Sequence, residues 1–468
     1  MEEKPKKWDA EADVIVVGGG TSGLPAAIVA AEEGAKTVLL EARASLGGSF
    51  KMVVGGLAIA GCDEQKEQGI DDSPELYYQD MVNLCGTEPD IARAFADNQL
   101  EAYRMFIDEG VKFPGLTALP GHSRPRALGW LFGFGPTMVN ALVDRAKKRG
   151  VEILTKHRAV RLIAEPKTRR VLGIKVEIDG AVKFFKANKA VVLASGGFGR
   201  NRDIIAEYAP EMVDCMPMMP PSHLGDGLKM GMDLGAATKD MGIAVAAAWP
   251  ISIRTHKNVM SVPRWGGISV NVNGKRFYQE SCSEGFYGPL TGAGHKQPGH
   301  VYWMIYDDDI SKSMYDNEDS GHRDAMEKAD KFEANSIEEL AETAGIDVKG
   351  LSDTVAKYNQ DVETLGYDSE FNRKHQWGEL RPLVKIVKPP FYAIKCVTSL
   401  TSMKGGLKIN GKGQVVTQYG EAIPSLYAAG EVAGGLHTKT YLLGVMTAGA
   451  LAQGIVAGRN AAKESGWK

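Results

Sequence analysis

Residues 12–42 read ADVIVVGGGTSGLPAAIVAAEEGAKTVLLEA. Positions 13–17 are a near-continuous apolar run, as expected of a strand buried on both faces of a parallel sheet. Gly18, Gly20 and Gly23 follow at G-x-G-x-x-G spacing. The first permits a tight turn, the second lets backbone approach a pyrophosphate, and the third lets the next helix lie close to the strand. Ala26, Ala27, Ala30 and Ala31 keep that helix slim, and its N-terminus, after Thr21 and Ser22, offers unpaired N–H groups to phosphate. A second strand, TVLLE, ends at Glu41 before Ala42, where a carboxylate accepts hydrogen bonds from a ribose diol. With both strands, the slim helix and the acid in register, the stretch predicts a dinucleotide-binding unit. The competing reading is a structural Gly turn in some other α/β unit.

Three more Gly-rich turns lie downstream. SLGGSF (45–50) brings Gly47, Gly48 and Ser49 to the other side of a pyrophosphate, and Gly55 and Gly56 follow. NKAVVLASGGFGRN (188–201) reads as another buried strand, running through Ala194 into Gly196 and Gly197. IPSLYAAGEVAGG (423–435) offers a strand, a turn at Gly430 and an acid, Glu431. Several Gly turns around one molecule suit a long, deeply enclosed cofactor, FAD, better than an exchangeable nicotinamide, and only one complete G-x-G-x-x-G exists.

The bulk numbers set limits. At 468 residues two domains are expected, and 44% hydrophobic with 24% charged residues is ordinary globular composition. A net charge of −3 gives no support for nucleic acid as a partner. The five cysteines (Cys62, Cys85, Cys215, Cys282, Cys396) are scattered without a C-x-x-C pair, which argues against a disulfide framework, attached haem or iron–sulfur cluster. The start, MEEKPKKWDAEAD, lacks an apolar export segment, and no run of about 20 apolar residues exists. The expected location is cytoplasmic, with no membrane span.

Six segments, in order, carry a resemblance: GGSFKMVVGGLAIAG (47–61), DDSPELYYQDMV (71–82), LGDGLKMGMDLGAATKDM (224–241), VNVNGKRFYQE (270–280), LSDTVAKYN (351–359) and LYAAGEVAGGLH (426–437). The chain resembles the soluble flavoprotein family of fumarate reductases, which also contains 3-ketosteroid dehydrogenases. The resemblance implies non-covalent FAD and an α/β fold. A Rossmann-like, glutathione-reductase-like FAD-binding domain would take residues 1–244 and 401–468, with an inserted α+β capping domain over 245–400 that closes on substrate. It also implies cofactor contacts at Ala159 and Asp226. His122, Arg124 and Arg126 resemble a family loop near the adenine end and are expected as cofactor or surface contacts. The local pattern of the insertion agrees. GISVNVNGKRFY (267–278) is hairpin-like around Asn273–Gly274, and SIEELAETAG begins with Ser336 as N-cap and Glu339 as its capping-box partner.

Fumarate reductases of this family resemble one another in a four-part cationic site that clamps a dicarboxylate. Here Trp249 stands where the first histidine would be, Glu284 near the acid arginine, Ser402 near the second histidine and Tyr441 near the last arginine. The expected pocket is therefore neutral to acidic, and an uncharged cyclic or aromatic substrate such as a 3-ketosteroid, cyclic enone or plant phenolic is expected. Thr440–Tyr441 resembles the ketosteroid-dehydrogenase branch, in which such a tyrosine holds a ketone oxygen. Leu442–Leu443 replaces the Pro-Gly of that branch.

The expected reaction exchanges a hydride between FAD and the β-carbon of a C=C conjugated to a carbonyl. Tyr441 and a backbone N–H near Gly444 would hold the oxygen as it gains charge. Tyr287 is the expected proton donor or base, with Tyr278 and Phe286 competing for that place. A tyrosine is protonated at neutral pH, which favours reduction, though desaturation stays open. Arg264, where the family's proton relay starts, would relay protons, hold a carboxylate or form a structural ion pair. His437 would touch flavin or substrate, or pack behind them. The final helix, starting at Gly444, Val445 and Met446, would point its N-terminus at the flavin pyrimidine. A small-molecule substrate and an external electron donor or acceptor (reduced flavin, an NADH-dependent reductase or a quinone) complete the expectation. Two alternatives remain: an enoate reductase using Arg264 or Arg254 as its cation, and a non-catalytic electron-transfer flavoprotein.

Overall fold

The computed structural model describes residues 4–52, 56–118, 122–129, 134–250, 261–280, 289–317, 326–376, 381–439 and 441–467. The chain forms two units. The first comprises Met1–Val213, Met219–Ile243 and Ser402–Lys468; the second comprises Asp214–Met218 and Ala244–Thr401.

The first unit is built on an eight-stranded sheet. Its strands are β1 (Ala10–Val17), β2 (Thr37–Glu41), β3 (Glu152–Thr155), β4 (Arg158–Ala164), β5 (Val171–Ile178), β6 (Ala181–Leu193), β7 (Gln414–Val416) and β8 (Ala422–Ala428). The order β7-β8-β6-β1-β2-β3 places the N-terminal strand centrally, parallel to β2 and β6, and β8 from the far end of the chain lies parallel to β6. Val14, Ile15, Val16 and Val17 are all buried, which is why this strand reads as continuously apolar. β4 and β5 form an antiparallel extension attached to β6.

Five helices matter for the site: α1 (Gly23–Glu32), α2 (Pro89–Ile107), α3 (Gly135–Lys148), α4 (Asp226–Asp233) and α5 (Val445–Lys463). The last packs directly on the first. A Cβ at Gly454 would lie 2.2 Å from the Ser22 carbonyl oxygen, and one at Gly458 would lie 2.2 Å from that of Ala26. The spacing GIVAG thus lets α5 touch the backbone of α1. This contact brings the chain's last helix to the G-x-G-x-x-G turn.

The second unit is organised around the strand Phe391–Met403. It pairs antiparallel with Val301–Asp307 and Lys331–Ala334 and parallel with Met216–Pro217. That last pairing explains why Asp214–Met218 groups here, although the sequence reading placed it within 1–244. The NGKRFYQE stretch is pinned from inside: Arg276 pairs with Glu280 at 2.6 Å and with Asp368 at 2.6 Å, all buried. Ser336 caps its helix by accepting the Glu339 N–H at 3.1 Å, whereas the Glu339 carboxylate accepts from Asn335, one residue earlier than a capping box requires. Among the described residues no helix is long and apolar enough to cross a membrane, and no group of side chains could hold a metal ion.

Candidate active site

A cleft, partly open to solvent, runs through the first unit from the β1–α1 turn to the start of α5. Gly18 adopts φ +106°, and a Cβ there would lie 2.3 Å from the Ala194 carbonyl oxygen. Gly23 is closer still, 1.7 Å from the Gly18 oxygen, so the helix cannot start so near the strand with any side chain. Gly20 differs: a Cβ there would meet no protein atom within 4 Å, because that face is the cavity wall.

At one end the cleft is lined by Glu41, Ala42, Arg43, His157, Arg158 and Ala159. The Glu41 carboxylate accepts the Gly19 N–H at 2.9 Å and the Arg43 N–H at 2.8 Å, which fixes it facing inward. Asp226 lines the wall too, but its carboxylate is held by a bidentate pair with Arg158, at 2.9 and 3.2 Å to one nitrogen.

The middle is a polar belt. Thr21, Ser22, Gly48, Ser49, Ala194 and Gly196 line it, with Gly430 and Glu431 opposite. Ser22 Oγ donates to the Ala429 carbonyl at 3.0 Å, and the Gly430 N–H donates to Gln453 Oε1 at 2.9 Å. Ser49 Oγ lies 3.1 Å from His223 Nε2, His223 Nδ1 lies 3.4 Å from Glu431 Oε2, and Ser402 Oγ donates to Glu431 Oε1 at 2.8 Å. Among the described residues, three buried polar atoms on the cavity wall have no hydrogen-bond partner: Ser195 Oγ, His437 Nε2 and Gln453 Nε2. Each such orphan costs about 1–3 kcal/mol, so a wall carrying three of them is built for a polar occupant. A long cleft, a glycine wall at Gly20 and this belt fit FAD.

The far end is formed by α5 and the segment before it. Gly444, at φ +78°, caps α5 with no side-chain acceptor, so the first-turn N–H groups of Met446 and Thr447 face the cavity end. His437 is buried there, and burial with the nearby Lys404 charge pulls its imidazole well below the ordinary range, leaving it neutral. Lys404 also lines the cavity and reaches Met446 Sδ; burial pulls its ammonium down to about 7. Its Nζ lies 4.1 Å from the Tyr441 ring centroid, and the His437 and Tyr441 rings are 5.2 Å apart. This arrangement is anchored from outside. The Cys85 carbonyl accepts the N–H groups of Thr438 and Lys439, Asp240 accepts from Gly435 and Thr438, and His122 Nε2 meets the Leu443 carbonyl at 2.8 Å.

The remaining expected residues fall into three groups. Gly23, Gly47, Gly56, Gly197, Ser402, Gly444 and Val445 stand behind the lining rather than in it. Gly197 packs on Glu431, and Gly444 accepts from the Ala58 N–H. Arg264 belongs to the second unit, at the end of the short helix Ser261–Arg264. Gly55, Glu284 and Tyr287, with the competing Phe286, lie outside the described residues, as does the side chain of Trp249.

Two expectations need correction. Arg126 is neither a cofactor nor a surface contact: it is fully buried, bonded to Asp72 at 2.7 Å and to Asp80, over the Tyr77 ring. The cleft wall also holds a basic group, Lys404, that the expected neutral-to-acidic pocket did not include. Sequence reading passed over that lysine for Ser402, two residues earlier in TSMKGG. The available signal was a cation at the end of a strand, directly before a Gly pair. His223 and Gln453 were missed as well, and neither sits in a pattern that marks it.

A family model described as an FAD binding domain matches residues 13–445. The chain belongs to this FAD-binding family. A fumarate reductase (cytochrome) of Shewanella frigidimarina is 31% identical, across 97% of this chain and 77% of that one. A vinyl phenol reductase of Lactiplantibacillus plantarum is 27% identical across 96% of each. The solved structure of 3-ketosteroid-Δ4-(5α)-dehydrogenase from Rhodococcus jostii RHA1, with 4-androstene-3,17-dione, superimposes with a TM-score of 0.80 at 26% identity, covering 98% of both chains. The flavoprotein is thus an FAD-dependent oxidoreductase acting on C=C or CH–CH bonds.

Proposed function

We propose that the flavoprotein reduces a C=C conjugated to a carbonyl or an equivalent electron-withdrawing ring, in an uncharged cyclic or aromatic substrate. FAD, held non-covalently, supplies the hydride equivalent; release of intact FAD on acid precipitation tests that mode of attachment. The observation carrying the reading is the Tyr441 ring, 4.1 Å from the Lys404 nitrogen and 5.2 Å from the ring of the neutral His437. A cation over a phenol ring withdraws electron density and strengthens O–H donation. Tyr441 therefore suits holding an oxygen that gains charge as the β-carbon is reduced. The vinyl phenol reductase that matches this chain end to end supports an aromatic substrate.

A second reading, an enoate substrate such as an aryl-acrylate, is favoured by Lys404 itself, a buried basic group on the cavity wall that Glu431 faces only through space. Against it, one ammonium offers no bidentate fork for a carboxylate. Product analysis with an external electron donor separates the two. Neutral enones and vinyl phenols should be hydrogenated in preference to aryl-acrylates, and the reverse order refutes the first reading.

A further inference from the structure

Two sources of positive potential converge at the α5 end of the cavity. The first is Lys404, 7% exposed, whose Nζ reaches Met446 Sδ in the first turn of α5. The groups facing it are Glu431 and Cys85 through space, the neutral His437 and the Tyr441 ring, and none is a carboxylate at ion-pair distance. A buried ammonium whose one facing carboxylate, Glu431, acts only through space is costly, and a lysine kept there points to a further anionic group that the protein alone does not supply. The second source is α5 itself, 19 residues long, with an uncapped N-terminus carrying about half a positive charge. Glu41, a strand-end carboxylate suited to a ribose, fixes the opposite end of the cleft as the adenosine end, so the redox-active ring belongs with Lys404.

We propose that Lys404, acting with the first turn of α5, holds the negative charge that the FAD ring gains on reduction. Two electrons and one proton, delivered to N5 by the external donor, leave one negative charge on the N1–C2=O edge. Turnover returns both electrons and the N5 hydrogen to the β-carbon, while a solvent-derived proton goes to the α-carbon. Lys404 is thus a charge-holding residue that raises the flavin potential. The inference needs only FAD binding and is independent of which alkene is reduced.

Sulfite gives a test free of substrate and donor, because it adds at N5 and places the same charge on the same edge. Holoenzyme and its Lys404→Met, Lys404→Gln and Lys404→Arg variants are titrated with sulfite and their midpoint potentials measured anaerobically. Loss of the charge should weaken sulfite binding about tenfold or more in the Met and Gln variants and lower the potential by about 30 mV or more, the two-electron equivalent of tenfold. Lys404→Arg should stay near wild type. Unchanged sulfite affinity and potential in both neutral variants would overturn the proposal. If neither retains FAD, the spectrum of reduced wild-type holoenzyme at mildly acidic pH decides: an anionic reduced ring supports the assignment and a neutral one overturns it.

Discussion

The ammonium of Lys404 lies 4.1 Å from the centroid of the Tyr441 ring, although the two are 37 positions apart in the chain with strands β7 and β8 between them. The contact exists because the Gly-rich segment after β8 turns back through His437 to the start of α5, and Thr438 and Lys439 are tied to the Cys85 carbonyl on the way. It joins a group that can hold charge to a group that can donate a hydrogen bond.

Removing the phenol oxygen tests the donor. Tyr441→Phe should keep FAD and substrate binding but lower turnover about 10²–10³-fold, the usual loss for one oxyanion-stabilising donor. Stopped-flow reoxidation of the reduced variant by an active alkene measures this. Full turnover with normal FAD content would remove Tyr441 from the chemistry.

Lys404 also makes a pH-dependent contribution to stability in the FAD-free protein. Its folded value of about 7 lies below the ordinary 10.5 because burial disfavours the charge. Between those values the unfolded chain binds more protons than the folded one, so stability should rise with pH, by up to about 1.4 kcal/mol per unit. Lys404→Met abolishes this dependence. In denaturant titrations of the apoprotein its stability advantage over wild type should be largest at neutral pH and shrink as pH rises. An advantage that does not change with pH contradicts the assignment.

Two glycines should fail in different ways. Gly20→Ala places a methyl in empty cavity, so the apoprotein should keep its stability within about 0.5 kcal/mol while FAD affinity falls. Gly454→Ala pushes a methyl against the Ser22 carbonyl oxygen and should cost about 1–3 kcal/mol through overpacking. Thermal unfolding with and without FAD distinguishes them. Equal losses in the apoprotein would contradict the division between a wall glycine and a packing glycine.

Much of the first unit is legible because its signals are local. The apolar run at 14–17, the three glycines and Glu41 each act on neighbours within about 20 residues, so spacing alone specifies the turn, the slim helix and the acid. The α5 start was legible for the same reason, since a Gly pair and small residues mark a close helix contact. Lys404 was not, because its burial depends on Met446, His437 and Cys85, which come from two distant parts of the chain. Arg126 was misread for the opposite reason. An arginine just after the proline of a Ser-Arg-Pro-Arg loop reads as exposed until Asp72 and Asp80 close over it. The polar belt likewise joins Ser49, His223, Glu431 and Ser402 across 382 positions, beyond the reach of any motif.

The decisive measurement is anaerobic titration of the dithionite-reduced holoenzyme, following the return of the flavin absorbance. Neutral ring-conjugated alkenes, cyclic enones or vinyl phenols, should reoxidise the flavin stoichiometrically, and fumarate should leave it bleached. Rapid reoxidation by fumarate with no response to any neutral alkene would contradict the reading built on Tyr441.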